Sequence, residues 1–186
     1  MSTASVRTAT TADVADIARI QRRTWHVAYT ELLDEQALAQ LDSTEVEQGW
    51  TATVEHPDTE VHLAIEAETI VGYCVAGPGP NEEIAAADGS LPEDADTVGL
   101  IGGLLVEPRW GRRGHGGRLL ATAAQWLRQQ DITRGVTWVA QSDSATLDFF
   151  RRAGWNPDNT VRTLDAGERT IREIRITGTL ALELRE

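Results

Sequence analysis

The 186-residue chain contains no lysine, and all 17 of its basic residues are arginine. That absence excludes a Walker-type phosphate loop, whose Lys reaches the phosphates, and any Schiff-base enzyme built on a Lys amine. Cysteine is nearly absent too. Cys74 stands alone, so the chain can form no internal disulfide and no Cys-rich metal site. His56 and His62 make no ligand cluster, and no metal is expected. With one thiol and no secretory h-region over residues 1–11, a cytoplasmic location is the expectation. No stretch approaches the ~20 uncharged apolar residues of a membrane span, so no membrane partner is expected.

Positive charge is scarce in one half only. The first hundred residues hold 4 Arg against 19 acids; the remainder hold 13 Arg against 10 acids, and the net charge is −12. A surface so divided does not suit nucleic acid as a partner. A phosphate-bearing cofactor in the second half, with a cationic substrate nearer the first, fits the asymmetry.

With 41% hydrophobic and 25% charged residues, the composition predicts one globular domain over residues 1–186. Residues 6–9 read as a first strand, closed by Thr10 and Thr11 as a helix cap. Val14, Ile17, Ile20 and Trp25 recur at helical spacing and predict a helix over 12–28. A second helix is expected over 34–54, with Leu38, Leu41 and Trp50 on one side. Two strands follow, 61–66 and 70–76, around a polar turn at 67–69. Residues 78–96, rich in Pro, Gly and acids, read as a long mobile acidic loop. Beyond it, 97–106 is an apolar run expected to be a strand buried on both faces. A helix over 116–130 turns Leu119, Leu120, Ala123, Ala124 and Leu127 inward. The rest predicts a strand at 136–140, a helix at 144–152 ended by Gly154, and strands at 161–164 and 171–180. The order βααβββαβαββ is that of an α/β fold with a mixed sheet.

The chemically informative segment runs from Leu104, Leu105 and Val106 through Glu107 and Pro108 into Arg109, Trp110, Gly111, Arg112, Arg113, Gly114, His115, Gly116, Gly117 and Arg118. It is a strand, a Pro that ends the strand's pairing, a basic glycine-rich turn and a helix. The first amides of a helix are unpaired and carry the positive end of its dipole. Glycine lets such amides close around an anion. A turn of this kind binds phosphate or pyrophosphate, with Arg112, Arg113 and Arg118 available for charge-assisted hydrogen bonds. His115 is expected to act through its backbone N–H. A dinucleotide fingerprint fits poorly, because its third Gly position holds Leu119.

This segment resembles the coenzyme A pyrophosphate loop of the GNAT N-acetyltransferases, Q/R-x-x-G-x-G/A after a strand ending V-x-P. Gly114 and Gly116 match the small positions, and Val106 and Pro108 match the strand end. Gly111 stands where Gln or Arg is usual, which leaves the side-chain contact to Arg112 or Arg113. Residues 6–13 resemble the family's opening strand and turn, and 24–33 its substrate-side helix and loop. Residues 149–155 (Phe-Phe-Arg-Arg-Ala-Gly-Trp) resemble its F-Y-x-x-x-G-F/W helix. The resemblance implies a mostly antiparallel sheet splayed between its fourth and fifth strands, acetyl-CoA as cosubstrate, and direct attack by the amine of a small molecule. It also implies a pantetheine arm pairing with Leu104–Val106, and a fold in which homodimers are common.

Two departures touch the chemistry. Phe150 occupies the position of the family's Tyr acid, and Leu100 that of the Glu base found in many relatives. Asp143 replaces the usual Asn before the helix. Substitute helpers are His26 and Tyr29 on the substrate-side helix and Asp96 before the fourth strand. Ser142 and Asp143 also suit a helix N-cap. A non-catalytic acyl-CoA sensor with a degenerate site is therefore the alternative to an enzyme.

Overall fold

Along the third strand, Cys74 and Ala76 pack into one hydrophobic cluster while Tyr73 and Val75 pack against another. Alternation of this kind places a sheet between two layers. The computed structural model describes residues 3–182; residues 1–2 and 183–186, at the ends of the expected domain, lie outside the described residues. The strands are β1 (Ala4–Thr8), β2 (Glu60–Glu66), β3 (Thr69–Pro78), β4 (Val98–Val106), β5 (Arg134–Ala140), β6 (Asn156–Ala166) and β7 (Arg169–Thr179). They form one sheet in the order β1-β2-β3-β4-β5-β7-β6, and every neighbouring pair is antiparallel except β4 with β5. This is the mixed α/β sheet that the pattern predicts, mostly antiparallel as the family resemblance implies.

The helices are α1 (Val14–Ala28), α2 (Glu35–Gln40), α3 (Thr44–Glu55), α4 (Asn81–Ile84), α5 (His115–Gln129) and α6 (Ser144–Arg152). Leu119, Leu120, Ala123, Ala124 and Leu127 of α5 and Phe150 of α6 fill one face of the sheet. Ile17 and Ile20 of α1 and Trp50 of α3 cover the other. The entry to α1 is fixed by Asp13, which accepts from the Thr10 amide and hydroxyl and from both Arg7 guanidinium nitrogens at 2.8 Å. Arg7 holds the Asp13 carboxyl down at about 2.

Several elements depart from the expectations. The helix expected over 34–54 is two helices, because Leu41, Asp42 and Ser43 close tight i to i−3 bonds onto Leu38, Ala39 and Gln40. Ser43 then turns extended to start α3; Asp and Ser favour such caps over helix interiors. The expected mobile loop 78–96 is instead a docked segment. It contains α4, whose Ile84 is buried with Val98 and Val136. Arg175 donates to the Glu83 and Ala85 carbonyls, Arg162 pairs with Glu83, and Arg134 grips Asp94 through two bonds of 2.7 Å. The acidity of the segment is thus matched by arginines of the last three strands. β6 extends beyond both expected limits, and β7 begins two residues earlier than expected and ends one earlier. β6 is an edge strand whose polar outer residues hide its length from a hydrophobic pattern.

β4 and β5 pair only at Val98–Leu100 against Arg134–Val136. Past that point β5 stays with β7 as far as Ala140, while β4 follows β3 to Val106. The side chain of Thr137 reaches back to the Ile101 carbonyl at 2.9 Å, and beyond it the two strands part. Consequently Gly102–Val106 are partly exposed, which corrects the expectation of a strand buried on both faces along its whole length. The opening between β4 and β5 leads to the segment that follows Val106.

Candidate active site

Pro108 opens a single 3-10 turn over Pro108–Trp110, and the Gly111 amide closes it on the Pro108 carbonyl. Arg112 and Gly114 then adopt left-handed backbone, at φ +62° and +80°. Left-handed backbone costs an ordinary residue ~1–2 kcal/mol, so Arg112 is strained where Gly114 is at ease. The two reversals lead directly into α5, whose first residues are His115, Gly116 and Gly117. Their amides lack helical partners, and they lie at the end of β4 beside the opening. A Cβ built on Gly116 would stand 3.3 Å from the Phe149 ring and 3.7 Å from Leu104. Gly116 therefore lets α5 approach both β4 and α6 closely. Arg118 donates from Nη1 to the Arg113 carbonyl at 3.1 Å, bracing the turn from within, and Arg112 is exposed.

Glu66, from β2, takes two side chains of the turn. His115 is buried, and its Nε2 lies 2.6 Å from Glu66 Oε2. Since an ionised carboxylate can only accept, Nε2 carries the proton and donates. The His115 side chain is thus a strut, not only a carrier of its backbone N–H. Arg113 also engages Glu66: its Nη1 donates to Glu66 Oε1 at 3.1 Å, and the guanidinium lies 4.9 Å over the Trp110 ring, while its side chain stays half-exposed with other N–H groups turned to solvent. Hydrogen bonding from His115, then from Arg113, holds the Glu66 carboxyl below the usual carboxylate range despite its burial.

Of the expected catalytic helpers, Tyr29 alone meets another expected site residue. Its hydroxyl donates to Asp143 Oδ2 at 3.1 Å, linking the α1–α2 connection to the start of α6. Asp143 is also the α6 N-cap, accepting from the Thr146 amide at 3.0 Å and the Thr146 hydroxyl at 2.7 Å. Burial pushes the Tyr29 phenol up, and the charges of Asp143 and Glu173 push it further. His26 is exposed on the last turn of α1. Asp96 is exposed in the turn entering β4, where β4 and β5 are paired. Asp143 follows the other end of β5, and the strand between them sets the two carboxylates roughly 20 Å apart. The three helpers therefore do not form one cluster. Phe150 is 1% exposed and stacks at 5.4 Å from Trp155, deep in the core. Leu100 sits where β4 and β5 part and packs against Val98 and Val136.

Glu107, inside the informative segment, has a role that its sequence neighbours do not reveal. It is 1% exposed, and three arginines surround it: Arg19 at 2.6 Å, Arg109 at 2.8 Å and Arg23 at 3.2 Å. Burial pushes its carboxyl up, but Arg109, Arg23 and Arg19 outweigh burial and hold it below the usual range. A carboxylate lowered on folding stabilises the fold above its ordinary pKa, and that stability is lost as pH falls through the lowered value. Stability should therefore hold from neutral pH to about 4.5 and decline towards pH 2, as Glu107, Glu66 and Asp13 are protonated. Glu107→Gln should cost ~1–3 kcal/mol at pH 7 and flatten that acid limb. Urea midpoints from pH 2.5 to 7 measure both, and an unchanged acid limb would show that Glu107 does not drive it.

Residues 15–155 match the family model described as "Acetyltransferase (GNAT) family", and the chain belongs to that family. Solved structures share the fold at low identity. The PaiA N-acetyltransferase of Thermoplasma acidophilum, in complex with coenzyme A, is 12% identical, with a TM-score of 0.69 over 95% of this chain and 99% of that one. YncA of Salmonella typhimurium, a putative acetyltransferase solved with acetyl-CoA, is 16% identical, with a TM-score of 0.69 over 99% and 98%. The ribosomal-protein-S18-alanine N-acetyltransferase of Escherichia coli is 12% identical, with a TM-score of 0.67 over 97% and 96%. No curated protein sequence matches the chain. Among the described residues no helix is long and apolar enough to cross a membrane, and no three His, Cys, Asp or Glu side chains converge as metal ligands.

Proposed function

We propose that the chain, acting as one domain, is an N-acetyltransferase that moves the acetyl group of acetyl-CoA onto a primary amine of a small cationic molecule. The observation that carries this reading is the doubly left-handed turn opening α5 beside the gap between β4 and β5. The amides of His115, Gly116 and Gly117 and the exposed Arg112 suit the pyrophosphate. The outer edge of Leu104–Val106, released from β5, suits the pantetheine arm as an added strand. Bound acetyl-CoA supplies the activated acyl group as a thioester. The amine nitrogen attacks the carbonyl carbon, the C–S bond breaks, the thiol leaves as thiolate, and the nitrogen loses a proton.

The side chains near the gap favour positioning over strong acid–base help. Tyr29, with its phenol raised by burial, stays protonated at neutral pH and is a hydrogen-bond donor rather than a base. Asp143 and Glu173 beside it favour a cationic acceptor. Holding two reactants together can supply ~7–11 kcal/mol, against the ~10²–10⁴-fold of a general acid or base. Phe150 and Leu100 keep the alternative of a non-catalytic acyl-CoA sensor in play. A panel of polyamines, amino sugars, amino acids and peptides, assayed with acetyl-CoA for released thiol, separates the two. Release with at least one amine is the expected result. Thermal stabilisation by acetyl-CoA with no release from any amine would favour the sensor.

A further inference from the structure

We propose that Glu66, at the end of β2, is the positioning residue for the pyrophosphate turn, holding its backbone in anion-binding shape through His115 and Arg113. The inference rests on the reading of that turn as the coenzyme A site. Glu66 lies 49 residues from His115 in sequence and on a strand that does not neighbour β4. It reaches the turn because α5 crosses the sheet over β1, β2 and β3.

The geometry is specific. One carboxylate takes residues on both sides of left-handed Gly114: Oε1 takes Arg113 and Oε2 takes His115. Residue 112, just before this clamp, is the strained non-glycine of the turn. Strained backbone persists only where its surroundings over-determine it. Here the determinants are the Glu66 clamp and the Arg118 bond to the Arg113 carbonyl. His115 is 2% exposed and its other ring nitrogen, Nδ1, has no partner among the described residues, so Glu66 is the group that orients the ring. An acid so close to an anion site would by charge alone oppose phosphate, and it also neutralises part of the charge of Arg113. Its presence is explained if order in the turn is worth more than that repulsion.

This conflict makes the test depend on sign. In Glu66→Gln a negative charge is removed and Arg113 is released, so electrostatics alone predicts tighter binding of coenzyme A. Positioning predicts weaker binding, because a neutral amide holds His115 and Arg113 poorly and the amides lose their aim. Calorimetric titration of the full chain with coenzyme A should give a Kd raised about tenfold, in the range expected when a supporting residue is loosened. The Kd for pantetheine, which has no pyrophosphate, should stay within about twofold. His115→Leu, should Glu66→Gln fold poorly, is expected to weaken coenzyme A in the same selective way. The double variant should be no weaker than the weaker single variant, since both break one strut. Unchanged or tighter coenzyme A binding by Glu66→Gln would overturn the inference, as would equal losses for coenzyme A and pantetheine. Failure of the unsubstituted protein to bind coenzyme A would instead overturn the functional reading beneath it.

Discussion

Gly114→Val is expected to bind coenzyme A at least 100-fold more weakly than the unsubstituted protein, while the melting temperature falls by only about 5 °C. Gly114 lies at φ +80°, where an L-residue is disfavoured by ~1–2 kcal/mol and a β-branched one more. Its added Cβ would also sit 3.2 Å from Arg118 Nη1, the atom that braces the Arg113 carbonyl. The exposed Arg118 tip can yield at the expense of its brace, but the backbone strain is relieved only by leaving the left-handed region, which reorients the amides of His115, Gly116 and Gly117. Hydrogen bonds to a charged group contribute ~1.5–3 kcal/mol each, so the loss of two already exceeds the factor of 100. The fold itself loses little, because the turn is exposed and α5 is held by its buried leucines. Gly49→Ala is the control: it is helical, nothing lies within 4 Å of its Cβ position, and it should gain ~0.5–1 kcal/mol without touching the site. Coenzyme A titration of the two variants decides the matter. A Gly114→Val protein that binds within tenfold of the parent would mean that the turn's backbone is not the anion site.

What could be read from the sequence was local, and what could not was the pairing of charges. The turn at 111–118 announces itself because glycines, arginines and a strand-ending Pro are neighbours in the chain. The helix of 144–152 is likewise legible, because its start and stop signals are local: Asp143 caps it and Gly154, at φ +84°, ends it. Glu66, by contrast, is an ordinary acid at the end of an ordinary strand. Its role depends on α5 crossing β2, a fact of topology with no local signature. Glu107 had a signal, an acid within a basic run, but its partners Arg19 and Arg23 lie on α1. The acidic segment 78–96 looked unanchored because the arginines that hold it, Arg134, Arg162 and Arg175, come 40 to 92 residues later. The break at 41–43 was concealed by apolar residues on both sides of it, although the Asp-Ser pair is a cap signal. Tyr29 and Asp143 each stand out in the sequence, yet only the fold brings the Tyr29 hydroxyl within 3.1 Å of the Asp143 carboxylate.

Trp155→Ala should be the most damaging single substitution outside the turn, lowering stability by ~3–5 kcal/mol and the melting temperature by about 10 °C or more. Trp155 is fully buried, and its indole rests on two glycines that face each other across the sheet, Gly135 of β5 and Gly178 of β7. A Cβ at Gly178 would come within 2.2 Å of the indole, and one at Gly135 within 2.3 Å. The indole N–H donates to the Thr179 carbonyl at 3.2 Å, and the Phe150 ring packs against it at 5.4 Å, tilted by 35°. Gly135 also pairs with Gly99 of β4, so the indole covers the point where β4, β5 and β7 meet. That is the closed end of the gap that leads to the turn. Removing the indole leaves a large cavity at this junction and frees β5 to shift against β4. Gly178→Val should also destabilise, by overlap with the indole rather than by a void. In the double variant the valine occupies part of the emptied space, so the two losses should fall short of their sum by at least ~1 kcal/mol. Thermal and urea unfolding of the two single variants and the double measure this coupling. Strictly additive losses, or a Gly178→Val protein as stable as the parent, would mean that the indole is not seated on the paired glycines.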